Sequence, residues 1–369
     1  MEKDIIEICK NFRISGDCID VVPVTTGHIN DSFRIITSDH RQEYFLQWIN
    51  SHIFKDVEGL MKNIGIVTNH LAGKANQLGR TNGSKVLELI QAADGKLFFR
   101  TPQGNHYRMY RYLPETHVYS YVENESIAYE GGKAFGRFLS DLSDLPASQL
   151  TETIPYFHDM EFRLAGFHKS LIADIDGRSA GIKEEIRFIE EHTREMLVIP
   201  SLIREGHIPL RITHNDTKFN NILFNLDNKA VCVVDLDTVM PGSLLFDFGD
   251  AVRTGANTVC EDERDLEKVD INLGIFQAYA KGFIRETLPS LTEYEISNLA
   301  FSARFMTFII GLRFLTDYLD GDIYFRTKYS THNLDRAKVQ FRLIKAMEMK
   351  AAEMDSIISR TWNVVNEVK

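Results

Sequence analysis

The chain of 369 residues contains little cysteine, and its cysteines form no recognisable pattern. They lie at Cys9, Cys18, Cys232 and Cys260, with no C-x-x-C pair and no spacing typical of a metal site. Cys232 falls within an apolar segment that is predicted to be a strand. Scattered, unpaired cysteines are typical of proteins in a reducing compartment. The sequence therefore predicts reduced thiols and a cytoplasmic location.

An excess of positive charge is also missing, because the formal net charge is −10. A negative protein repels phosphate backbones, so no nucleic-acid partner is expected. The start of the chain lacks the basic residues and apolar run of a signal peptide, and no stretch is expected to approach the ~18 apolar residues of a membrane span. No membrane partner is expected, and no protein partner can be deduced. The composition, 44% hydrophobic and 25% charged, is that of a globular protein, and the chain is long enough for two lobes.

The chain does contain the pattern H-x-D-x-x-x-x-N at His214–Asn221, and Asp235 follows 14 residues after Asn221. Phosphoryl transfer by the kinase route uses one carboxylate to orient the acceptor hydroxyl and take its proton. An amide oxygen and a second carboxylate hold the magnesium ions. Asp216 fits the role of catalytic base, and Asn221 and Asp235 fit the roles of metal ligands. A lone aspartate in a loop is usually a turn former, but the combined pattern favours the kinase interpretation.

The spacing of this pattern has a structural reason. Residues 221–224 are predicted to enter a strand, residues 226–228 to turn, and residues 230–234 to return antiparallel. Such a hairpin would bring Asp235 back beside Asn221. The topology therefore predicts three polar groups around one space large enough for a metal ion.

A second aspartate motif, Asp247–Phe248–Gly249, matches the D-F-G of protein kinases. It lies 31 residues after Asp216, and no predicted strand leads into it. Asp235, 19 residues after Asp216, fits the hairpin better. Asp247 is expected to support the catalytic loop, together with His214, by bonding backbone amides. The alternative is a buried N-cap for a helix over Phe248–Arg253.

Strand-like segments dominate the first third of the chain and helical periodicity dominates the rest. Six strands are predicted, at 21–25, 32–36, 44–49, 85–90, 97–101 and 106–112, with helices at 4–12 and 54–72. Leu113–Pro114 ends the last strand. The helices predicted after it lie at 126–142, 159–172, 180–198, 267–287, 293–319 and 333–357. The expected class is α+β, with a small β-sheet lobe at 1–112 for the nucleotide and a larger, mainly helical lobe at 113–369 for catalysis and substrate binding.

The motif His214–Asn221 with Val233–Asp237 resembles the aminoglycoside phosphotransferase and choline kinase superfamily, relatives of protein kinases. Further phrases resemble the N-acetylhexosamine 1-kinases. These are Leu46–Asn50 with Phe54–Lys55, Thr213–Lys218, Asp235–Gly242 and Gly311–Tyr318. The resemblance implies a protein-kinase-like two-lobe fold, with ATP and Mg2+ as cofactors. It also implies transfer of the γ-phosphate to the anomeric 1-hydroxyl of N-acetylglucosamine or N-acetylgalactosamine.

The resemblance also implies a nucleotide site in the first lobe. The backbone of Tyr110, Arg111 and Tyr112 would meet adenine, and the turn containing Gly27 would lie over the phosphates. Kinases place a lysine on the third strand to hold the α- and β-phosphates, but here the nearest polar residue is Gln47. The resemblance implies the same glutamine in the subfamily. Glu58 is a candidate for the helix carboxylate that would normally pair with the lysine.

Three residues are candidates for the acceptor site: His28, Arg313 and Tyr324. Arg313 lies in an apolar helical segment, where a cation must find a partner. It could contact substrate, or it could pair with Asp317 four residues on and serve structure only. Tyr324 could stack on a sugar or pack in the core. The acidic run at residues 261–265 would suit a polycationic aminoglycoside, but a solvated face or a helix start is favoured for it.

Two other functions stay open on the sequence alone. One is a related kinase that acts on choline, homoserine or an aminoglycoside; choline would need an aromatic box around its quaternary ammonium. The other is a nucleotide-binding pseudokinase, suggested by Gln47 in place of a lysine. The intact set of Asp216, Asn221 and Asp235 argues against the second. Epimer preference and oligomeric state have no signal in the sequence.

Overall fold

The computed structural model describes residues 2–24, 30–39, 42–79 and 85–367. The chain packs into two compact units. The first, here called the sheet unit, contains Met1–Val118, Asp144–Pro155 and Leu223–Pro241. The second, here called the helical unit, contains Tyr119–Ser143, Tyr156–Ile222 and Gly242–Lys369. A single division at residue 112 therefore differs from the observed packing, in which two later segments belong with the first 118 residues.

The sheet unit contains a six-stranded antiparallel sheet. Its strands are β1 (Cys18–Val24), β2 (Ser32–Thr37), β3 (Glu43–Ile49), β4 (Leu89–Ile90), β5 (Phe99–Arg100) and β6 (His106–Arg111). Their order is β1-β2-β3-β6-β4, and β5 pairs with β6. Apolar residues that alternate along β2, β3 and β6 pack against helix α1 (Glu2–Cys9), as expected for a sheet with one buried face.

Strands β4 and β5 are shorter than the sequence predicts. The N–H of Lys85 donates to the carbonyl of Val231 at 2.6 Å, and the carbonyl of Glu88 accepts from Arg111 at 2.9 Å. The residues of 85–88 thus bond to two different partners and do not form one regular ladder. Helix α2 (Val57–Gln77) begins at Asp56, whose side chain accepts the N–H of Gly59 at 2.8 Å. It buries Leu60, Ile64 and Val67.

The predicted catalytic hairpin is present, formed by β9 (Ile222–Asn225) and β10 (Ala230–Val233). Its turn uses Asn228 with a φ of 58°, a left-handed conformation that asparagine tolerates well. On its other side, β9 pairs with β7 (Thr116–His117), with Thr116 opposite Asn225. This three-stranded sheet explains why residues 223–241 pack in the sheet unit.

The helical unit contains nine α-helices within the residues described. These are α3 (Glu125–Asp141), α4 (Met160–Ala173), α5 (Lys183–Met196), α6 (Val198–Arg204), α7 (Leu244–Gly255), α8 (Leu273–Thr287), α9 (Glu293–Leu319), α10 (His332–Met349) and α11 (Ala351–Glu367). Short strand β8 (Arg211–Thr213) precedes the catalytic loop, and β11 (Met240–Gly242) precedes α7. The helix predicted at 180–198 is present as α5, and the helix predicted at 333–357 is replaced by two helices, α10 and α11. The break lies at Lys350, whose ammonium bonds Asp270 at 2.7 Å.

Helix α9 corrects the expectation that no segment is apolar and long enough to cross a membrane. One 18-residue window of it has a mean hydropathy of 1.4, but 78% of that window is buried inside the protein. Burial of this kind is typical of the central helix of a globular protein, and α7 and α10 both pack against α9. The same packing explains why α9 has apolar residues around its whole circumference.

Candidate active site

His214, the first residue of the catalytic loop, is fully buried. Its ring lies edge-on to Phe135 and Phe138 of α3, with centroids 5.6 and 5.8 Å away. Its Nδ1 accepts the backbone N–H of Asp216 at 3.3 Å. His214 thus fixes the loop from inside and is not placed to exchange protons with a substrate.

The carboxylate of Asp247 accepts the backbone N–H groups of His214 and Asn215 at 2.8 and 2.7 Å. This residue lies inside α7, and the N-cap of α7 is Ser243. The alternative in which Asp247 caps the helix is therefore wrong. Burial raises the pKa of Asp247 to about 6, against the lowering effects of His214 and the two N–H groups. At neutral pH it is still mostly ionised, so both oxygens can accept these bonds.

Asn215 has a φ of 62°, which turns the chain sharply just before Asp216. The turn is held by Thr213, whose hydroxyl donates to the side-chain oxygen of Asn215 at 3.0 Å. Gly242 packs against this pair so closely that a Cβ there would lie 2.3 Å from the Thr213 hydroxyl. A larger residue at position 242 would displace these two side chains, which accounts for the glycine at the end of the Asp235–Gly242 phrase.

Asp216 and Asn221 lie together, as the motif predicts. The Nδ2 of Asn221 donates to the backbone carbonyl of Asp216 at 2.8 Å and to its Oδ2 at 3.2 Å. The other oxygen, Oδ1, forms an ion pair with Lys218 at 2.8 Å. Burial alone would raise the pKa of Asp216, but the charge of Lys218, with His214 and Arg253, leaves that pKa below its usual value. The carboxylate is therefore ionised and oriented at neutral pH.

Lys218 has no role in the sequence-based prediction. Its signal was available, because it lies two residues after Asp216 and can reach back to that carboxylate within the same loop. Asp216 in turn raises the pKa of Lys218 well above its usual value, so the ammonium keeps its charge. A cation at this place can balance charge on the phosphate during transfer.

Asp235 belongs to the sheet unit, where it ends the segment after β10 and precedes a short 3-10 turn, Leu236–Thr238. Its φ is 58°, and the residue is exposed. The turn is anchored by Asp237, which is buried and accepts a hydrogen bond from Asn30 at 2.7 Å. Asn63 of α2 holds the same turn by donating to the carbonyl of Val239 at 3.2 Å.

Gln47 lies on β3, directly opposite Arg108 on β6. Arg108 is fully buried, donates two hydrogen bonds to Gln47, and forms an ion pair with Asp237. Glu58, the candidate for the carboxylate that pairs with the strand lysine in other kinases, is exposed. Arg108 and Asp237 were not singled out from the sequence. The only hint was a charged residue, Arg108, inside a strand segment.

The structure describes only some of the other residues that were predicted to bind the nucleotide. Gly27 and His28 lie outside the described residues. Tyr110 and Arg111 end β6, and the N–H groups of Arg111 and Tyr112 already donate to the carbonyls of Glu88 and Glu43 at 2.9 and 3.0 Å. Adenine contact at this segment would therefore use carbonyls, or N–H groups beyond Tyr112.

Arg313 and Tyr324 lie together in the helical unit. The guanidinium of Arg313 is over the rings of Phe157, Tyr324 and Phe325 at 5.0, 5.6 and 5.5 Å, and it contacts the Tyr324 hydroxyl at 3.5 Å. It makes no ion pair with any residue that the structure describes. The structural alternative, pairing with Asp317, is wrong because that carboxylate instead accepts the backbone N–H groups of Tyr324 and Phe325.

Two further basic residues surround Arg313. His158 is buried, and its Nε2 is 2.9 Å from the carbonyl of Asn215, the residue before Asp216. Burial, helped by the charge of Arg313, lowers the pKa of His158 to about 4. The neutral ring therefore donates through Nε2, and its buried Nδ1 lacks a hydrogen-bond partner among the residues described. Burial and Arg313 also lower the pKa of Arg163 to about 10. The cluster adjoins the catalytic loop and is electropositive.

The residues present fit magnesium. Within the described part of the chain, no group of three His, Cys, Asp or Glu residues could hold a metal by itself. Magnesium does not need one, because it usually binds one or two carboxylates together with substrate phosphates. The Asn221 side chain uses only its Nδ2 for the bonds described above, and its Oδ1 accepts none from the described residues. The helical unit thus offers the amide oxygen of Asn221 as a ligand, and the sheet unit carries an exposed carboxylate at Asp235.

A model of the phosphotransferase enzyme family matches residues 20–284. The solved structure of a microcompartment-associated aminopropanol kinase aligns with a TM-score of 0.63 at 11% identity, covering 96% of this chain and 98% of that one. Choline kinase from Cryptosporidium parvum aligns at 0.58 and 14% identity, covering 98% and 99%. Spectinomycin phosphotransferase, solved with ADP and spectinomycin, aligns at 0.53 and 14% identity, covering 96% and 99%. At these identities the likeness shows the fold, and the predicted kinase-like fold is confirmed.

Proposed function

The chain belongs to the phosphotransferase enzyme family, whose model matches most of it, and is a small-molecule kinase of that family. On that premise we propose that it transfers the γ-phosphate of MgATP to the anomeric hydroxyl of N-acetylglucosamine or N-acetylgalactosamine. The product would be a sugar 1-phosphate. The observation that carries the choice of acceptor is Arg313, a cation without a carboxylate partner in the described structure, held on aromatic faces beside the catalytic loop.

Asp216 acts in this proposal as the base for the acceptor hydroxyl. Lys218 and Asn221 hold its two oxygens in place, and the lowered pKa keeps it ionised. The anomeric hydroxyl is the most acidic hydroxyl of a reducing sugar, so a single carboxylate suffices to activate it. Asn221 and Asp235 would hold magnesium, which when bound neutralises charge on the phosphates.

The cluster around Arg313 suits an uncharged acceptor rich in oxygen. A guanidinium donates hydrogen bonds in a fixed plane and accepts none, so it favours hydroxyl and acetamide oxygens. The buried Nδ1 of His158 is an acceptor that a sugar hydroxyl could satisfy. With Arg163 close by and no ion pair to Arg313, the electrostatics disfavour a cationic acceptor such as choline or an aminoglycoside.

The arrangement of the aromatic rings also argues against choline as the acceptor. An aromatic box must leave ring faces open for the quaternary ammonium. The rings of Phe157, Tyr324 and Phe325 already face the guanidinium of Arg313. A second cation would be placed beside the first, with repulsion between the two.

The acidic run at residues 261–265, which would suit an aminoglycoside, already makes ion pairs and hydrogen bonds within the chain. Glu261 pairs with Arg253 at 2.8 Å, and Asp262 bonds Lys328 and His332 at 2.9 and 3.2 Å. Glu263 accepts the N–H groups of Arg264 and Asp265. These carboxylates stabilise the fold through contacts within the chain, so they are poorly suited to bind a polycationic antibiotic.

The test is a panel of acceptors with MgATP: N-acetylhexosamines, plain hexoses, glucuronic acid, choline, ethanolamine and kanamycin. We expect turnover with the N-acetylhexosamines and a product whose phosphorus signal couples to the anomeric proton in NMR. Methyl N-acetylglucosaminide, with its anomeric oxygen blocked, should be inert. A 6-phosphate product, turnover of the blocked sugar, or activity only with amines would refute the sugar assignment and leave the family membership intact. No turnover with any alcohol would favour the pseudokinase alternative.

Arg313→Met should raise the KM for the N-acetylhexosamine by about 10–100-fold, the equivalent of one charge-assisted hydrogen bond. The KM for ATP should change little, because Arg313 lies in the acceptor cluster. Steady-state kinetics with each substrate varied in turn would measure both. The matched control is Arg304→Met, nine residues earlier on α9, where the arginine pairs with Glu195 at 2.8 Å. An unchanged sugar KM in Arg313→Met would remove this residue from the acceptor site.

A further inference from the structure

The predicted nucleotide site lacks the lysine that kinases place on the third strand to hold the α- and β-phosphates. Gln47 occupies the nearest polar position on β3, and it carries no charge. The register of the sheet places Arg108 of β6 directly across from it. Both residues belong to the sheet unit.

Arg108 donates two hydrogen bonds to one atom of Gln47. Its Nε and Nη2 lie 3.0 and 2.9 Å from the Oε1 of Gln47. Because a guanidinium only donates, the side-chain oxygen of Gln47 must face it, and the amide nitrogen must face away. That nitrogen donates to the hydroxyl of Ser32 at 3.1 Å. Its second N–H has no acceptor among the described residues.

Arg108 itself is fully buried, so its guanidinium is not exposed for direct contact with a ligand. Its Nη1 pairs with Asp237, which also accepts a bond from Asn30. Burial alone would lower the pKa of Arg108, but the charges of Asp237 and Asp235 hold it above its usual value. The guanidinium is therefore a permanent charge within the field of Asp235, the predicted metal ligand.

We propose that Arg108 and Gln47 together replace the strand lysine of other kinases: Arg108 supplies the positive charge, and Gln47 supplies the hydrogen-bond donor to the nucleotide phosphates. Two charge-assisted bonds on its oxygen polarise the Gln47 amide and strengthen its N–H groups as donors. Arg108 is a positioning residue, because it acts through Gln47. The inference rests on the nucleotide-binding part of the proposed function and is independent of the identity of the acceptor.

Gln47→Glu separates this role from a structural one. Glutamate has the same shape, still accepts both bonds from Arg108, and gains an ion pair, so the fold should not be weakened. It loses the N–H donor and adds a negative charge facing the phosphates. We expect adenosine to bind as it does to the parent, and ADP to bind at least ~10-fold more weakly, since like charges at this range repel appreciably. Calorimetry in EDTA measures both affinities without metal and without acceptor.

A charge-relocation variant provides the second arm. Removing Arg108 alone would leave the buried charge of Asp237 without a compensating cation and would endanger folding. The double variant Gln47→Lys with Arg108→Gln keeps one cation beside Asp237 but moves it to β3, where other kinases have it. We expect it to bind ADP at least as well as the parent, relative to adenosine. Thermal melting of each variant reports folding independently of binding.

The matched control is Arg13→Gln, because Arg13 also donates to a glutamine, Gln91, at 2.9 Å in the same unit. It should leave the ADP-to-adenosine ratio unchanged. The proposal is overturned if Gln47→Glu keeps the ADP preference of the parent, or if it weakens adenosine and ADP equally. It is also overturned if the double variant folds and binds adenosine but shows no preference for ADP. Failure of the sugar panel would leave these binding results valid.

Discussion

Asp216→Asn is expected to lower turnover by about 10²–10⁴-fold while the affinity for ATP stays near that of the parent. Asparagine keeps the shape and one oxygen but cannot take the proton of the acceptor hydroxyl. The fold should survive, because the loop is held by His214, Asp247 and the Asn221 bond to the backbone of residue 216. Single-turnover kinetics would measure the chemical step, and calorimetry would measure nucleotide affinity.

The ion pair with Lys218 adds a second expectation for this variant. In the parent, Lys218 is bound to the Asp216 carboxylate at 2.8 Å. With the charge removed, the ammonium is released and can interact more strongly with phosphate, so ATP should not bind more weakly. Asp227→Asn, a conservative change in the exposed turn of the hairpin, serves as the control and should leave kinetics unchanged. Loss of ATP affinity together with turnover would show that Asp216 is a structural or metal-binding residue.

The catalytic loop and its hairpin could be predicted because their signals are local. The motif His214–Asn221, the turn before Lys229 and the apolar residues on either side lie within about one hairpin length. The predicted hairpin is present with nearly the expected bounds. The sequence also assigned Asp247 to loop support and not to the D-F-G role, because no predicted strand leads directly into it. In each case short-range geometry determined the outcome.

Contacts between distant parts of the chain could not be predicted. Arg108 and Asp237 are 129 residues apart, and neither carries a periodic signal for the other. The expected pair Arg313–Asp317 had the right helical spacing, but Asp317 is bound by backbone N–H groups of the segment that follows α9. These two N–H groups occupy both oxygens of the Asp317 carboxylate, so they compete successfully with Arg313. Helical spacing alone gives no information about such competitors.

One predicted helix boundary was wrong for a similar reason. The segment predicted as one helix over 333–357 contains no proline or glycine, yet α10 ends at Met349 and α11 begins at Ala351. Lys350 is held between them by Asp270 and by the carbonyl of Ile271, at 2.7 and 3.2 Å. Tertiary contacts of this kind override local helix propensity.

Asp235→Asn should lower turnover by about 10²–10³-fold, since a metal that is poorly held loses several kcal/mol of transition-state stabilisation. In contrast to Asp216→Asn, it should also weaken nucleotide binding, but only when magnesium is present. Asparagine is the right replacement because Asp235 has a φ of 58°, and asparagine adopts this left-handed conformation as readily as aspartate. The backbone turn and the Asp237 anchor beside it should therefore stay intact.

The measurement is ADP affinity by calorimetry with excess magnesium and again with EDTA, for the parent and both variants. If Asp235 is a metal ligand, the gain in affinity that magnesium gives the parent shrinks in Asp235→Asn and persists in Asp216→Asn. The EDTA values should agree for all three proteins or favour Asp235→Asn slightly, because removing a negative charge cannot repel the phosphates. An undiminished magnesium effect in Asp235→Asn would transfer the ligand role to another carboxylate. Asp237 is a poor candidate, because its charge is already committed to Arg108.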